Sequence, residues 1–291
     1  MIDLHTHSTF SDGTVTPTEL IALCKQTGIT SIALCDHNTV SGLPEFLNAA
    51  EIHNIEAIPG VEFSTEYNGT ELHILGLFIP PEHYGTVTKL LNNMLAEKER
   101  SNRALVQALG HVDIHLDYDV LQANNPGGLI NRAVIAAEMV RLGYVNSVKE
   151  AFSQWLSEKH GLYHPPRRLG SLDTIRFIRS IGAVSVLAHP FLDLDESGLR
   201  CFLQDATEVG LDGMETRYSK FDDLTSCIAS KIAHEYGLLE SGGSDFHGAN
   251  KPDIQLGIGR GSLAVPEEFL NLLKQRRTSV LKQNSSLKHS V

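Results

Sequence analysis

Histidines and carboxylates gather in a few short peptides of this 291-residue chain. They are His5-Thr6-His7, Ser11-Asp12-Gly13, Asp36-His37, Gly60-Val61-Glu62, Ala188-His189-Pro190 and Gly243-Ser244-Asp245-Phe246-His247-Gly248, with His73 inside a strand-like run. His5 and His7 are two apart, so an extended chain projects both to one face, and Asp245 and His247 repeat the spacing. Each group alone is ordinary, since a single His after a strand more often caps or hydrogen-bonds than binds metal, and Asp-Gly is a common turn. Together, most of them at the ends of apolar strand runs, they predict a metal site.

The donor set limits the metal. Imidazole mixed with carboxylate, without thiolate, suits Mn, Fe or Zn rather than a Cys-rich structural zinc site. Nine ligands are too many for one ion, which predicts two to three divalent ions. A carboxylate such as Glu62 can bridge two of them, and ions about 3.5–4 Å apart clamp the attacking and leaving oxygens of a phosphoryl centre. A water bridging such ions becomes hydroxide near neutral pH, so no Ser or Cys nucleophile is required. The chain has no G-x-S-x-G elbow. Asp36, beside His37, is read as a supporting or proton-handling carboxylate.

Strand–helix alternation is what must position these residues. Met1–Leu4 reads as a strand, followed by a capping box at Thr16-Pro17-Thr18-Glu19 and a helix that stops at Gly28. Thr30–Cys35 is a second strand, Pro44–Ile52 a helix and Ile55–Ser64 a third strand. Asn68-Gly69 then predicts a hairpin, pairing Glu71–Phe78 antiparallel with the third strand. From about Pro80 to Arg168 the pattern is helical (about 82–109, 131–142 and 147–159), with no strand. Alternation returns with a helix over Ser171–Ile181 and strands at Ala183–Ala188, Gly213–Thr216, Leu238–Ser241 and Ser262–Val265. The expected organisation is a discontinuous α/β barrel over 1–80 and 169–281, a helical insertion over 81–168 and a polar tail over 282–291. In such barrels the C-terminal ends of the strands carry the site.

Composition narrows the partners. The formal charge is −11, from 24 Lys and Arg against 35 Asp and Glu. That balance argues against a large duplex-nucleic-acid surface, because such binding neutralises phosphates with cations. No run approaches the roughly 18 apolar residues of a membrane span, and Met1-Ile2-Asp3-Leu4-His5 does not open a secretory signal. Cys24, Cys35, Cys201 and Cys227 show no C-x-x-C pairing and read as small buried hydrophobes in a reducing compartment, hence a cytoplasmic protein.

The motifs D-L-H-T-H-S, D-H after strand two, a His near strand four, A-H-P and G-S-D-F-H-G closely resemble the PHP (polymerase and histidinol phosphatase) family of metal phosphoesterases, over almost the whole chain. The resemblance implies a distorted (β/α)7 barrel, TIM-like, and usually three metals. By it, His5, His7, Glu62 and Asp245 hold one metal, Glu62, His73 and His189 the second, and Asp12, His37 and His247 the third. The chain looks most like stand-alone nucleotide phosphatases with a helical insertion. Those act on nucleoside 3′,5′-bisphosphates such as pAp and on AMP-like monoesters, and related members trim short RNA from the 5′ end.

In such proteins an arginine of the insertion grips substrate phosphate, and Arg132 in Asn131-Arg132-Ala133-Val134 matches it, although Val134 replaces the usual His. A planar guanidinium suits that bidentate task. Arg167 and Arg168 are candidates for a second phosphate. Cys35 and Asn38 stand where Thr and Asp are commoner. The expected substrate is a small phosphorylated nucleotide. The competing readings are a histidinol-phosphate phosphatase, a 5′-to-3′ exonuclease on short RNA and a non-catalytic PHP module.

Overall fold

Local signals at the first helix are made as the sequence dictates. The computed structural model describes residues 1–124, 130–166 and 168–288. In it the Thr16 backbone N–H donates to the Glu19 carboxylate at 2.8 Å, and the Glu19 N–H returns a bond to the Thr16 hydroxyl at 3.2 Å. This capping box starts α1 (Pro17–Thr27), and Gly28 ends it in the left-handed conformation at φ 76°.

Seven strands form one path. β1 (Ile2–Thr6), β2 (Ser31–Leu34) and β3 (Glu56–Tyr67) pair parallel in order. β4 (Thr70–Leu77) follows Asn68-Gly69 and pairs antiparallel with β3, from Tyr67↔Thr70 to Gly60↔Leu77. It also pairs antiparallel with β6 (Val184–Leu187), after which β7 (Gly213–Tyr218) and β8 (Leu239–Gly243) continue parallel. The ring closes where the Asp245 N–H donates to the His5 carbonyl at 2.8 Å and the His7 N–H to the Phe246 carbonyl at 2.9 Å. The result is a nearly closed, TIM-like barrel sheet, with β4 as the reversed member. Closure brings backbones very near: a Cβ on Gly243 would lie 2.4 Å from His5 atoms, so only glycine fits there.

Helices cover the ring between strands: α2 (Leu43–His53), α7 (Ser171–Ser180), α8 (Glu196–Glu208) and α9 (Asp223–Glu235). Leu4, Ala33, Leu75, Leu77, Val184 and Val186 fill the barrel, and Phe269, Leu270 and Leu273 of α10 (Glu267–Lys288) pack against them. Each of these buried Leu, Val and Phe side chains contributes roughly 1.5–3 kcal/mol.

The chain separates into two compact units, Met1–Thr88 with Leu169–Val291, and Lys89–Arg168. The second has its own core, with Leu105, Leu109, Ile135, Met139 and Leu156 fully buried. Its elements are most of α3 (Tyr84–Gly110), then α4 (Tyr118–Ala123), α5 (Arg132–Arg141) and α6 (Val148–Ala151).

Several sequence expectations change. Ser262–Val265 forms no strand; it runs as turn and coil into Pro266, with Val265 buried against the barrel core instead of pairing. The expected polar tail is helical as far as Lys288, because nothing after Pro266 is a Gly or Pro that would stop α10. Residues 289–291 lie outside the described residues. The single helix expected over 147–159 breaks into α6, a π-helical turn at Phe152–Leu156 and a 3₁₀ turn at Glu158–His160. α4 and the two-residue strand β5 (Leu169–Gly170), which pairs with Thr65 and Glu66, carry too little pattern to be read. Cys24 and Cys35 are buried as expected, but Cys201 and Cys227 are exposed, on the outer faces of α8 and α9. Among the described residues no helix is long and apolar enough to cross a membrane.

Candidate metal centre

One rim of the barrel collects the predicted ligands. His5 lies in β1 and His7 just beyond it, His37 follows β2, His189 follows β6, and Asp245 and His247 follow β8. Glu62 sits in mid-β3, where the strand has left β2 and pairs with β4. His73 is near the start of β4, and because β4 runs backwards its start lies at the same rim. His73 stands opposite Ser64, two residues from Glu62, so Glu62 and His73 share a face.

The predicted ligand atoms converge in three groups. His5 Nε2 and His7 Nε2 are 3.1 Å apart, and each is 3.2 Å from Glu62 Oε2. Asp245 Oδ1 lies 3.8 and 3.3 Å from the same two nitrogens. Around Glu62 Oε1, His73 Nδ1 is at 2.8 Å and His189 Nε2 at 3.1 Å. His37 Nδ1 approaches Glu62 Oε2 at 3.0 Å. Asp12 Oδ1 collects His247 Nε2 at 3.1 Å, with His37 Nε2 and His7 Nδ1 each at 3.9 Å. The geometry thus adds His37 to the Glu62–His73 group and His7 to the Asp12 group, beyond the sets implied by resemblance.

These residues fit divalent ions. Four ligands about 2.0–2.2 Å from one ion stand about 3.3–3.6 Å apart in a tetrahedron, close to the His5–His7–Glu62–Asp245 separations. His7 Nδ1, His37 Nδ1, His189 Nδ1 and His247 Nε2 are buried with no hydrogen bond. Two of them, His37 Nδ1 and His247 Nε2, lie near a carboxylate oxygen without bonding it. A lone pair aimed at a shared cation accounts for that. Burial opposes charge on Glu62, yet His5, His37 and His73 around it hold its carboxyl well below the usual range. Asp245 and Asp12 are likewise held low against burial by the surrounding histidines. All three therefore stay ionised, as cation ligands must. Burial lowers His37 to about 4; Glu62 overrides burial to raise His73 to about 10.

Backbone strain concentrates here. Asn38, His189 and Asp245 all have positive φ (52°, 27° and 56°), and each adjoins or is a predicted ligand. Asn38 is held there because its side chain donates to Ser64 Oγ at 2.9 Å and accepts from the Ser64 N–H at 3.0 Å. Cys35 packs its thiol beneath Gly60, whose Cβ would come within 2.8 Å of the sulfur. The two departures around Asp36-His37 therefore serve packing and turn geometry.

Asp36, after β2, receives three bonds from the loop after β1: Ser8 N–H at 2.8 Å, Ser8 Oγ at 2.7 Å and Ser11 Oγ at 2.7 Å. It fixes the loop that carries Asp12. In the other unit, half-buried Arg132 stacks over Tyr163 at 4.1 Å and donates to the Leu156 carbonyl at 3.2 Å. Arg168 is exposed just before β5, and Arg167 lies outside the described residues.

Four residues were not found from sequence. Glu215 of β7 is fully buried and meets His5 Nδ1; the signal available was an acidic residue inside a strand run, Gly213-Met214-Glu215-Thr216. Tyr218 donates to Asp245 Oδ2 at 2.8 Å, and Lys251 pairs with the same oxygen. Asp3 accepts N–H bonds from Ser244 and Gly257 at 2.8 and 2.9 Å, tying β1 to the loops after β8.

Comparison with known proteins agrees with this architecture. The model of the PHP domain family matches residues 3–160. A 5′-3′ exoribonuclease of Haemophilus influenzae is 32% identical over 84% of this chain and 89% of its own length. A 3′,5′-nucleoside bisphosphate phosphatase of Chromobacterium violaceum is 30% identical over 84% and 87%. A crystal structure of a candidate metal-dependent phosphoesterase from Bifidobacterium adolescentis superposes with a TM-score of 0.68 at 26% identity, covering 94% of this chain and 96% of that one. With the ligand-rich rim and the closed seven-strand path already in place, the chain belongs to the PHP domain family and is a metal-dependent phosphoesterase.

Proposed function

We propose that the protein hydrolyses phosphate monoesters of nucleotides, with 3′,5′-bisphosphates such as pAp and AMP-like esters as substrates. The observation that carries this reading is the three-lobed convergence of nine donors, His5, His7, Asp12, His37, Glu62, His73, His189, Asp245 and His247, around the shared Glu62 carboxylate. We assign these nine as ligands of two to three divalent ions, Mn, Fe or Zn. When bound, such ions supply a Lewis acid and lower the pKa of bound water to about 7. Nucleotide phosphate chemistry is supported by what the C. violaceum and H. influenzae relatives are named for.

The chain's own groups have separate tasks in this reading. Glu62 faces two ligand groups and holds them in register. Arg132, on the helical insertion over 81–168, grips a substrate phosphate through its planar guanidinium and lowers the entropic cost of alignment. Its stacking on Tyr163 keeps that plane fixed. Arg168 contacts a second phosphate. Asp36 keeps the Asp12 loop in shape.

A second reading, 5′-to-3′ trimming of short RNA, is favoured by the exoribonuclease relative. Phosphate or nucleotide release from pAp, AMP, histidinol phosphate and a 5′-phosphorylated RNA trinucleotide, with Mn supplied, separates the readings. Fast turnover of pAp is expected. Mononucleotide release from the trinucleotide with pAp inert would select the exonuclease, and turnover of histidinol phosphate alone would reject both.

A further inference from the structure

Glu215 is fully buried, and among the described residues no lysine or arginine pairs with it. Burying a carboxylate without such a cationic partner is costly, so its retention in the barrel needs a reason. Its two oxygens are divided between two ligands. Oε1 lies 3.1 Å from His5 Nδ1, and Oε2 accepts the His189 backbone N–H at 2.7 Å. His5 belongs to the His7–Asp245 group, whereas His189 reaches Glu62 Oε1 on the other side.

Both partners are at irregular backbone. Pairing of β1 with β2 shifts register between Asp3 and Thr6, which places His5 in a bulge. Pairing of β7 with β8 shifts between Glu215 and Arg217, immediately after Glu215. Bulges beside sites re-aim side chains, and these two turn His5 and Glu215 toward each other across the barrel. His189 holds φ 27°, a conformation that needs outside support, and the Oε2 bond supplies it.

We propose that Glu215 is a positioning residue that sets the His5 tautomer and clamps His189, so that one carboxylate orders two of the metal groups at once. The inference rests on the metal-site reading above. With the proton of His5 held at Nδ1 by Oε1, Nε2 presents its lone pair to His7, Glu62 and Asp245, where the ion would sit.

Glu215→Gln tests this with nearly unchanged shape. An amide has one acceptor and one donor end. If its oxygen faces the His189 N–H, its NH₂ faces His5 Nδ1 and forces the proton onto Nε2. If it is turned over, two donors collide at His189. Chelator-competition titrations with Mn and Zn, alongside the melting temperature of the metal-free protein, are the readouts. Expected are a fold and metal-free melting temperature close to those of the parent, with metal affinity weaker by about 10–100-fold. Parent-like affinity in the folded variant would overturn the proposal. Should the variant not fold, ¹⁵N imidazole spectra of the Zn-loaded parent decide: a proton on His5 Nδ1 is expected, and one on Nε2 overturns it. A parent that binds no metal at all would overturn the metal-site reading itself, which distinguishes the two failures.

Discussion

Lys251 holds its ammonium 2.6 Å from Oδ2 of Asp245, while the other oxygen, Oδ1, lies 3.3 Å from His7 Nε2. Asp245 is thus shared between a lysine on its outer side and the ligand cluster on its inner side. Without ions, Lys251 is the only ammonium among the described residues that neutralises this buried carboxylate. Lys251→Met should therefore lower the Tm of chelator-treated protein by several degrees, at about 2–4 °C for each kcal/mol. Saturating Mn should narrow that difference, since a divalent ion takes over the neutralisation. An equal loss of Tm with and without Mn would remove this account.

Asn38 and Ser64 clamp the loop after β2 to β3 through two hydrogen bonds, with Asn38 in the left-handed region. Asn38→Ala loses both bonds and the residue type that tolerates that conformation. A loss of about 2–3 kcal/mol in urea unfolding is expected. Asn38→Asp keeps the conformation but drops the donor to Ser64 Oγ, so it should fall between parent and alanine variant.

Asp12 is the most exposed of the nine, with 56% of its side chain open, whereas the His7 and Glu62 side chains are closed off. If Asp12, His37 and His247 hold an ion as proposed, that ion should leave first under graded chelation. Asp12→Asn should lower metal stoichiometry by one while sparing the remainder, because its loop is held by Asp36 rather than by Asp12 itself. Elemental analysis after gel filtration reads this directly, and a loss of all metal would contradict it.

Arg132→Ala should reduce kcat/KM on phosphate esters by roughly 10–100-fold with metal content unchanged. Arg132→Lys should restore little of it, because an ammonium cannot offer the planar pair of donors. Wild-type kcat/KM for the alanine variant on every ester tried would refute the clamp.

Thiol reactivity follows burial. Burial raises the Cys24 thiol to about 12 and pushes Cys35 higher still, whereas Cys201 and Cys227 are exposed. A raised thiol pKa keeps the unreactive thiol form through neutral pH, and thiolate appears only as pH climbs. Iodoacetamide at pH 8 should add two carbamidomethyl groups to the native protein and four in denaturant, as counted by mass spectrometry.

The ligand peptides were legible because metal chemistry demands particular residue types at short spacing. His5 and His7 announce themselves by residue type alone, and Asn68-Gly69 predicts its hairpin because the turn needs positive φ. Glu215, by contrast, was invisible: its partners His5 and His189 are 210 and 26 residues away, and local spacing says nothing about a contact across a barrel. Lys251 was missed for the same reason in reverse, since a lysine in a polar loop reads as solvated until the fold brings Asp245 beside it. Ser262–Val265 has the pattern of a strand, but Val265 is consumed by core packing and the segment has no partner edge left in a closed ring. Polarity alone does not say where a helix ends, and α10 runs on into the polar tail as far as Lys288.

The meeting of His5 with Asp245, and of His7 with Phe246, joins the first strand to the loop after the last across about 240 residues of chain. During synthesis the amino-terminal half emerges with its histidines exposed and unable to complete any ligand group containing Asp245 or His247. Only when those residues leave the ribosome and β8 seals against β1 can that side of the centre assemble. The two groups that include Asp245 or His247 can therefore hold an ion only after residue 247 has been made, whereas the group around Glu62, His73 and His189 is complete in a shorter chain.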